Sequence, residues 1–202
     1  MITVFFDFLC PFAWRGLELA EMLRVGDGLG FELLHFSLEQ HNHPENAQNR
    51  FEPVWWIHQQ PTEQTRGLLA LLGSLAAKQQ GPECHRHFVL ELFRAHHRDK
   101  LPLQEVQTLK TAAERAGLDL PRFEYDLQHN DALLREELKE EISDACRVKA
   151  FGTPTFVLET GDAAYFRFAQ MPETLEKARA LWDLYGQVLN SEARIETIKR
   201  PR

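Results

Sequence analysis

Asp7-Phe8-Leu9-Cys10-Pro11-Phe12-Ala13-Trp14-Arg15-Gly16 is the stretch whose reading decides the fold. It continues an apolar run, Ile2-Thr3-Val4-Phe5-Phe6, that is rich in β-branched and aromatic residues. From Ile2 to Leu9 both alternating faces are largely apolar, which predicts a central strand covered on both sides. Pro11 suits a first helical position, because its ring presets φ and its missing N–H would have no partner there. The helix it opens is expected to reach about Arg24, to bury Leu19, Met22 and Leu23, and to be closed by Gly26 and Gly28. Phe31-Glu32-Leu33-Leu34-His35-Phe36-Ser37-Leu38 then reads as a second strand. Strand, helix and strand in so short a span make a βαβ unit, hence a parallel pair. Cys10 falls at the strand-to-helix junction. There it faces unpaired N–H groups and the positive end of the helix dipole, and both favour the nucleophilic thiolate.

Outward from this unit, residues 39–62 look irregular. They are rich in Asn, Gln, His and Pro and carry Trp55-Trp56. A loop of that length with two tryptophans is expected to be packed or functional. A helical block follows. Leu68, Leu71, Leu72 and Leu75 share one helix face, as do Cys84, Phe88 and Leu92, then Val106, Leu109 and Ala113, and later Leu134, Leu138 and Ile142. Gly81-Pro82 and Lys100-Leu101-Pro102 punctuate the block. Gly152-Thr153-Pro154-Thr155 precedes a strand at Thr155-Phe156-Val157-Leu158, which turns back through Ala164 to Phe168 as a hairpin. A proline there cannot donate to a ladder, so it belongs at a strand start or an edge. Leu175, Ala178, Trp182, Tyr185 and Leu189 line a last helix. The predicted class is α/β, in the order βαβ, helices, ββα.

Bulk properties narrow the function. The 202 residues, 44% of them hydrophobic, suffice for a real core. A formal net charge of -7 argues against a sequence-independent nucleic-acid binder, which needs a basic face. The tail Lys199-Arg200-Pro201-Arg202 reads as a solvated terminus. No basic segment precedes a long apolar one at the start, and no stretch approaches the ~20 apolar residues of a membrane span. Neither a signal peptide nor a membrane partner is therefore expected. Three cysteines, at 10, 84 and 146, do not make a disulfide framework and suit a reducing cytoplasm.

The Asp7–Gly16 motif, paired with Val148-Lys149-Ala150-Phe151-Gly152-Thr153-Pro154-Thr155-Phe156-Val157, resembles the thioredoxin superfamily. In detail it resembles the DsbA-like branch, including the FrnE and thiol-dependent nitroreductase relatives. The resemblance covers nearly the whole chain. It implies a thioredoxin fold over 1–62 and 148–202 with a helical insertion domain over 63–147. It implies that Pro154 is the cis-proline of that family, that Thr153 and Pro154 contact the substrate beside the cysteine, and that Cys10 is the catalytic thiol. The family's second active-site cysteine would fall at Ala13, so Cys10 has no local resolving partner. Kappa-class glutathione transferases and chromene-carboxylate isomerases also lack the pair, usually with serine in place of Cys10.

The substrate-facing residues expected from these readings are Pro11, Phe12, Ala13, Trp14, Thr153 and Pro154, with Trp55 and Trp56 as a flat aromatic wall over the cleft. Arg15 and Arg66 are basic groups suited to a cofactor carboxylate. Cys146 reads as a helical core residue, and His41, His43 and His58 as solvated loop residues. Cys84 and His87 share a helix face, but no second pair completes a zinc set, so no metal is expected. Three functions follow. One is a monothiol oxidoreductase working with a low-molecular-weight, glutathione-like thiol on a disulfide or small electrophile. Another is a transferase or isomerase in which Cys10 only holds or activates a thiol cofactor. The third is a non-catalytic binding protein. No tightly bound cofactor is expected. The partners are a small thiol, a small electrophile or a protein disulfide, and a second copy of the chain.

Overall fold

The computed structural model describes residues 1–198; the basic tail at 199–202 lies outside them. Four strands form one sheet in the order β2-β1-β3-β4. β1 (Ile2–Phe6) and β2 (Phe31–His35) run parallel, with Val4 opposite Leu33. β3 (Thr155–Val157) pairs antiparallel with β1 and with β4 (Ala163–Tyr165), placing Phe156 opposite both Val4 and Ala164. β1 is central, as its two apolar faces require. Val4 and Phe6 enter the main core, and Phe5 packs on the other face with Phe36, Ala145 and Ala150. The strand is shorter than the apolar run, because the chain turns at Asp7–Leu9 before Cys10.

α1 (Pro11–Asp27) starts at the predicted proline. It does not stop at Gly26. The helix runs on to Asp27 and is capped by Gly28 at φ 71°, a left-handed conformation that glycine adopts without penalty. Gly26 has a packing role instead, since a Cβ there would collide with Leu175 of α8 (Leu175–Leu189). β2 ends at His35, and α2 (Leu38–His41) begins the segment expected to be irregular, which also holds three short 3-10 turns.

The helical block comprises α3 (Leu68–Lys78), α4 (Pro82–Phe93), α5 (Val106–Arg115), α6 (Leu120–His129) and α7 (Asp131–Arg147). α3 is buried from Leu68 to Ala77, so it is the block's centre. Val106, expected on a buried face, is exposed at the first position of α5. α6 is absent from the sequence reading, although Asp119 caps it by accepting from the Arg122 N–H at 3.1 Å. α4 passes into a π-helical turn at Arg94–Arg98. One apolar core runs without a break from Val4, Phe6 and Phe8 through Leu17 to Leu72, Phe88 and Leu138. Each such side chain contributes ~1.5–3 kcal/mol on burial.

Candidate active site

Cys10 is the N-cap of α1, with extended backbone at φ -99° and ψ 112°. Neither a side-chain cap nor an acidic residue occupies the first turn. The turn that carries it is held by Asp7. The Cys10 N–H donates to the Asp7 carbonyl at 3.0 Å. The Asp7 carboxylate accepts from the Leu9 N–H at 2.8 Å and the Leu38 N–H at 2.6 Å. Burial pushes this carboxyl up to about 6, against the pull of those two N–H groups. Asp7 thus ties the cysteine turn to α2. It was legible only as an acid inside an apolar strand run, a buried charge that needs partners.

The second segment arrives as the motif pairing requires. The Thr153–Pro154 peptide bond is cis. The Cys10 S–H donates to the Thr153 carbonyl at 3.2 Å across 143 residues of chain. Gly16 makes this approach possible, because a Cβ there would fall 2.6 Å from Pro154 Cγ. On its other side Pro154 accepts from the Phe166 N–H at 3.1 Å. Thr153 Oγ1 is buried and has no hydrogen-bond partner among the described residues.

The cysteine expected to line a solvent-reachable groove is largely covered. Cys10 is 7% exposed and Thr153 1%, and Pro154 is buried as well. The cis-proline turn packs closely on α1, while Pro11, the residue after Cys10, is exposed. Ala13, expected to face a substrate, is wholly buried on the core side of α1. Trp14 is half-buried, donates to Glu18 at 3.0 Å and stacks on His97 at 5.9 Å. The π-helical turn brings that imidazole to the site, where His97 Nε2 donates to the Phe8 carbonyl at 2.8 Å. Burial pushes His97 down to about 4.

A cavity of about 660 Å³ opens beside Leu9 rather than at Cys10. Leu38, Asn42, His43, Arg66, His96 and Gln104 are in its wall. The expected tryptophan wall is not part of it. Trp55 stacks behind His43 at 4.0 Å, and Trp56 meets His58 edge-on while packing on the core. His41 and His58 are buried, not solvated. Arg66 pairs with Glu39 at 3.7 Å. His85 shares a hydrogen bond with Ser74, and no group of three His, Cys, Asp or Glu able to hold a metal occurs among the described residues. Cys84 and Cys146 are free and half-buried, and burial pushes the Cys146 thiol up.

A cysteine that caps the first helix and meets a cis-proline turn across a β2-β1-β3-β4 sheet defines a thioredoxin-fold protein with a helical insertion. The family model of the DSBA-like thioredoxin domain matches residues 1–180, and the chain belongs to that family. Among solved structures it is similar to a 2-hydroxychromene-2-carboxylate isomerase, at 17% identity and a TM-score of 0.64, over 97% of this chain and 99% of that one. It is similar to the cytosolic disulfide reductase DsbM from Pseudomonas aeruginosa, solved with GSH, at 14% identity and a TM-score of 0.60, over 92% and 98%. It is also similar to the oxidoreductase NmDsbA1 from N. meningitidis, at 17% identity and a TM-score of 0.54, over 96% and 85%. A search of curated proteins found no match. At these identities the likeness is one of fold. No helix among the described residues is long and apolar enough to cross a membrane.

Proposed function

We propose that this protein is a monothiol oxidoreductase in which Cys10 exchanges disulfides with a low-molecular-weight thiol of the glutathione type. The observation that carries the proposal is the Cys10 sulfur at the start of α1, 3.2 Å from the Thr153 carbonyl, with buried Ala13 where a resolving thiol would stand. In the observed contact the sulfur carries its proton. On losing it, the thiolate is repelled by the carbonyl and attracted to the unpaired N–H groups of the first turn. It then attacks one sulfur of a small disulfide. A Cys10–S bond forms, the original S–S bond breaks, and the leaving thiolate takes the electron pair and a proton from water. A small thiol, as thiolate, then attacks the sulfur bound to Cys10, leaves joined to it as a new disulfide and releases Cys10 as thiolate. A second turnover with another such thiol completes the reduction, so two thiols are oxidised to one disulfide for each substrate disulfide reduced.

The slight exposure of Cys10, 7%, favours a small partner over a folded protein disulfide. The cavity beside Leu9 has the size of a ligand pocket, and its wall mixes Leu9, Leu38 and Leu103 with polar Asn42, His43, Arg66 and Gln104, which suits a polar small molecule. A reducing compartment, where such thiols are abundant, suits this chemistry.

The test is intact mass after incubation with several oxidised small thiols, followed by peptide mapping. The expected result is one reducible adduct on Cys10, absent in Cys10→Ser. Adducts confined to Cys84 or Cys146 would overturn the assignment. Conjugation of an electrophile with no disulfide step would replace it with a transferase or isomerase. Ligand binding undiminished in Cys10→Ser, with no turnover in either protein, would replace it with a binding role.

A further inference from the structure

Two guanidinium groups pack on one ring, two residues along the chain from the thiol. Phe12 lies two residues beyond Cys10 in the first turn of α1 and is half-buried. The Arg15 guanidinium carbon lies 5.1 Å from its ring centroid and that of Arg167 lies 4.2 Å from it. Arg15 reaches the ring from one turn further along the same helix face. Arg167 comes from the far end of the chain, one residue after the Phe166 N–H that donates to Pro154. Gly16, next to Arg15, is the residue against which Pro154 packs. Both arginines therefore ride on segments that touch the cis-proline, whose neighbour Thr153 holds the sulfur.

Neither guanidinium has an ion-pair partner among the described residues. Elsewhere Arg86 pairs with Glu21, Arg94 with Glu18 and Arg115 with Asp99. A chain of net charge -7 has carboxylates to spare, yet it places none in the first turn of α1. Two like charges on one ring repel, and the ring's quadrupole compensates only part of that. An anion within reach of both would complete the arrangement, and planar guanidinium forks suit a carboxylate.

We propose that Arg15 and Arg167, stacked on Phe12, are a carboxylate-binding clamp that selects anionic low-molecular-weight disulfides and thiols for Cys10. The selectivity rests on the thiol-exchange reading above, but the binding does not. In the exchange step the clamp holds the carboxylate end of the partner while its sulfur meets Cys10, and it takes no part in bond making.

Rates of mixed-disulfide formation at Cys10 would be compared for dithiodipropionate, hydroxyethyl disulfide and cystamine, which are anionic, neutral and cationic. The intact protein is expected to prefer the anion. Arg15→Gln/Arg167→Gln should lose at least about tenfold in rate for the anion and keep its rate for the neutral disulfide. Arg50→Gln/Arg194→Gln, with the same charge loss elsewhere, should keep the preference. Equal losses in both double variants would reduce the effect to net charge and overturn the clamp. Calorimetric titration of Cys10→Ser with thiodipropionate, which has no exchangeable bond, reads binding alone. Binding that Arg15→Gln/Arg167→Gln abolishes supports the clamp even if Cys10 proves unreactive. Binding that is absent, or unchanged in that variant, overturns it even if Cys10 exchanges disulfides.

Discussion

Beneath β2, Glu141 accepts from the His35 N–H at 2.7 Å, from His35 Nδ1 at 2.5 Å and from Lys78 at 2.6 Å. Beyond the same end of neighbouring β1, the Cys10 sulfur has one hydrogen bond to a carbonyl, and the buried hydroxyl of Thr153 has none among the described residues. Burial alone would push the Glu141 carboxyl up, but His35 and Lys78 outweigh it and hold the group at about 2. His85 beside them stays neutral, pushed down to about 3 by burial. The first region is a charged joint between β2, α3 and α7, though His35 Nε2 stays unpaired in it. The second is packed yet short of hydrogen-bond partners. A buried charge must be paired for the chain to fold at all. A reactive group is most useful where bonding capacity is left for a partner.

Substitutions in the two regions should separate stability from reactivity. Glu141→Ala leaves buried His35 without its acceptor and Lys78 with Glu137 alone, and is expected to cost ~3–5 kcal/mol in urea unfolding. The folded fraction should label at Cys10 as before, and an altered labelling rate would mean the two regions are coupled. Acid should open the same joint. His85 and His97 have lowered values, about 3 and about 4, so the unfolded chain takes up protons that the folded one refuses below about pH 6.5. Glu141 adds the same sign from about 4.5 down to about 2. Asp7, raised to about 6, works the other way, its contribution being lost as pH rises from 3.8 through about 6. Between pH 7 and 4 the two histidines outweigh Asp7, and Glu141 joins them below about 4.5, so Tm should fall across that range in scanning fluorimetry. His85→Gln should flatten the slope, and a level profile for the native protein would refute this balance.

At the thiol, Gly16→Ala forces a methyl against Pro154 and is expected to cost ~1–3 kcal/mol. It should also change the rate of Cys10 adduct formation, which Glu141→Ala should not. The smallest effect is expected at Thr153. Thr153→Val removes a hydroxyl with no partner, so stability should stay within ~1 kcal/mol of the native protein or rise. A larger loss would mean that the hydroxyl has a partner in solution.

Much of this was legible locally. A cysteine between an apolar strand and Pro11 marks a helix start, and Gly152-Thr153-Pro154 before Thr155-Phe156-Val157 marks a strand start. Neither needs distant information, because the proline constraint acts on its own and adjacent residues. The errors fell where burial depends on what packs across the chain. Gly26 looked like a helix stop and is a seat for Leu175. Trp55 looked like a wall over the thiol and stacks behind His43. His97 carried no signal of a place beside the cysteine turn, because only the π-helical turn at Arg94–Arg98 aims it at Phe8 and Trp14.

By itself, then, the sequence determined the parallel βαβ start, the cysteine at the helix entrance and the proline before β3. Short-range sterics and side-chain periodicity suffice for those. Only the tertiary structure decided how far the sulfur is covered, that the cavity lies beside Leu9, and that Arg15 and Arg167 share one ring. Each of these depends on segments brought together from distant parts of the chain, and packing at that range leaves no mark in local composition.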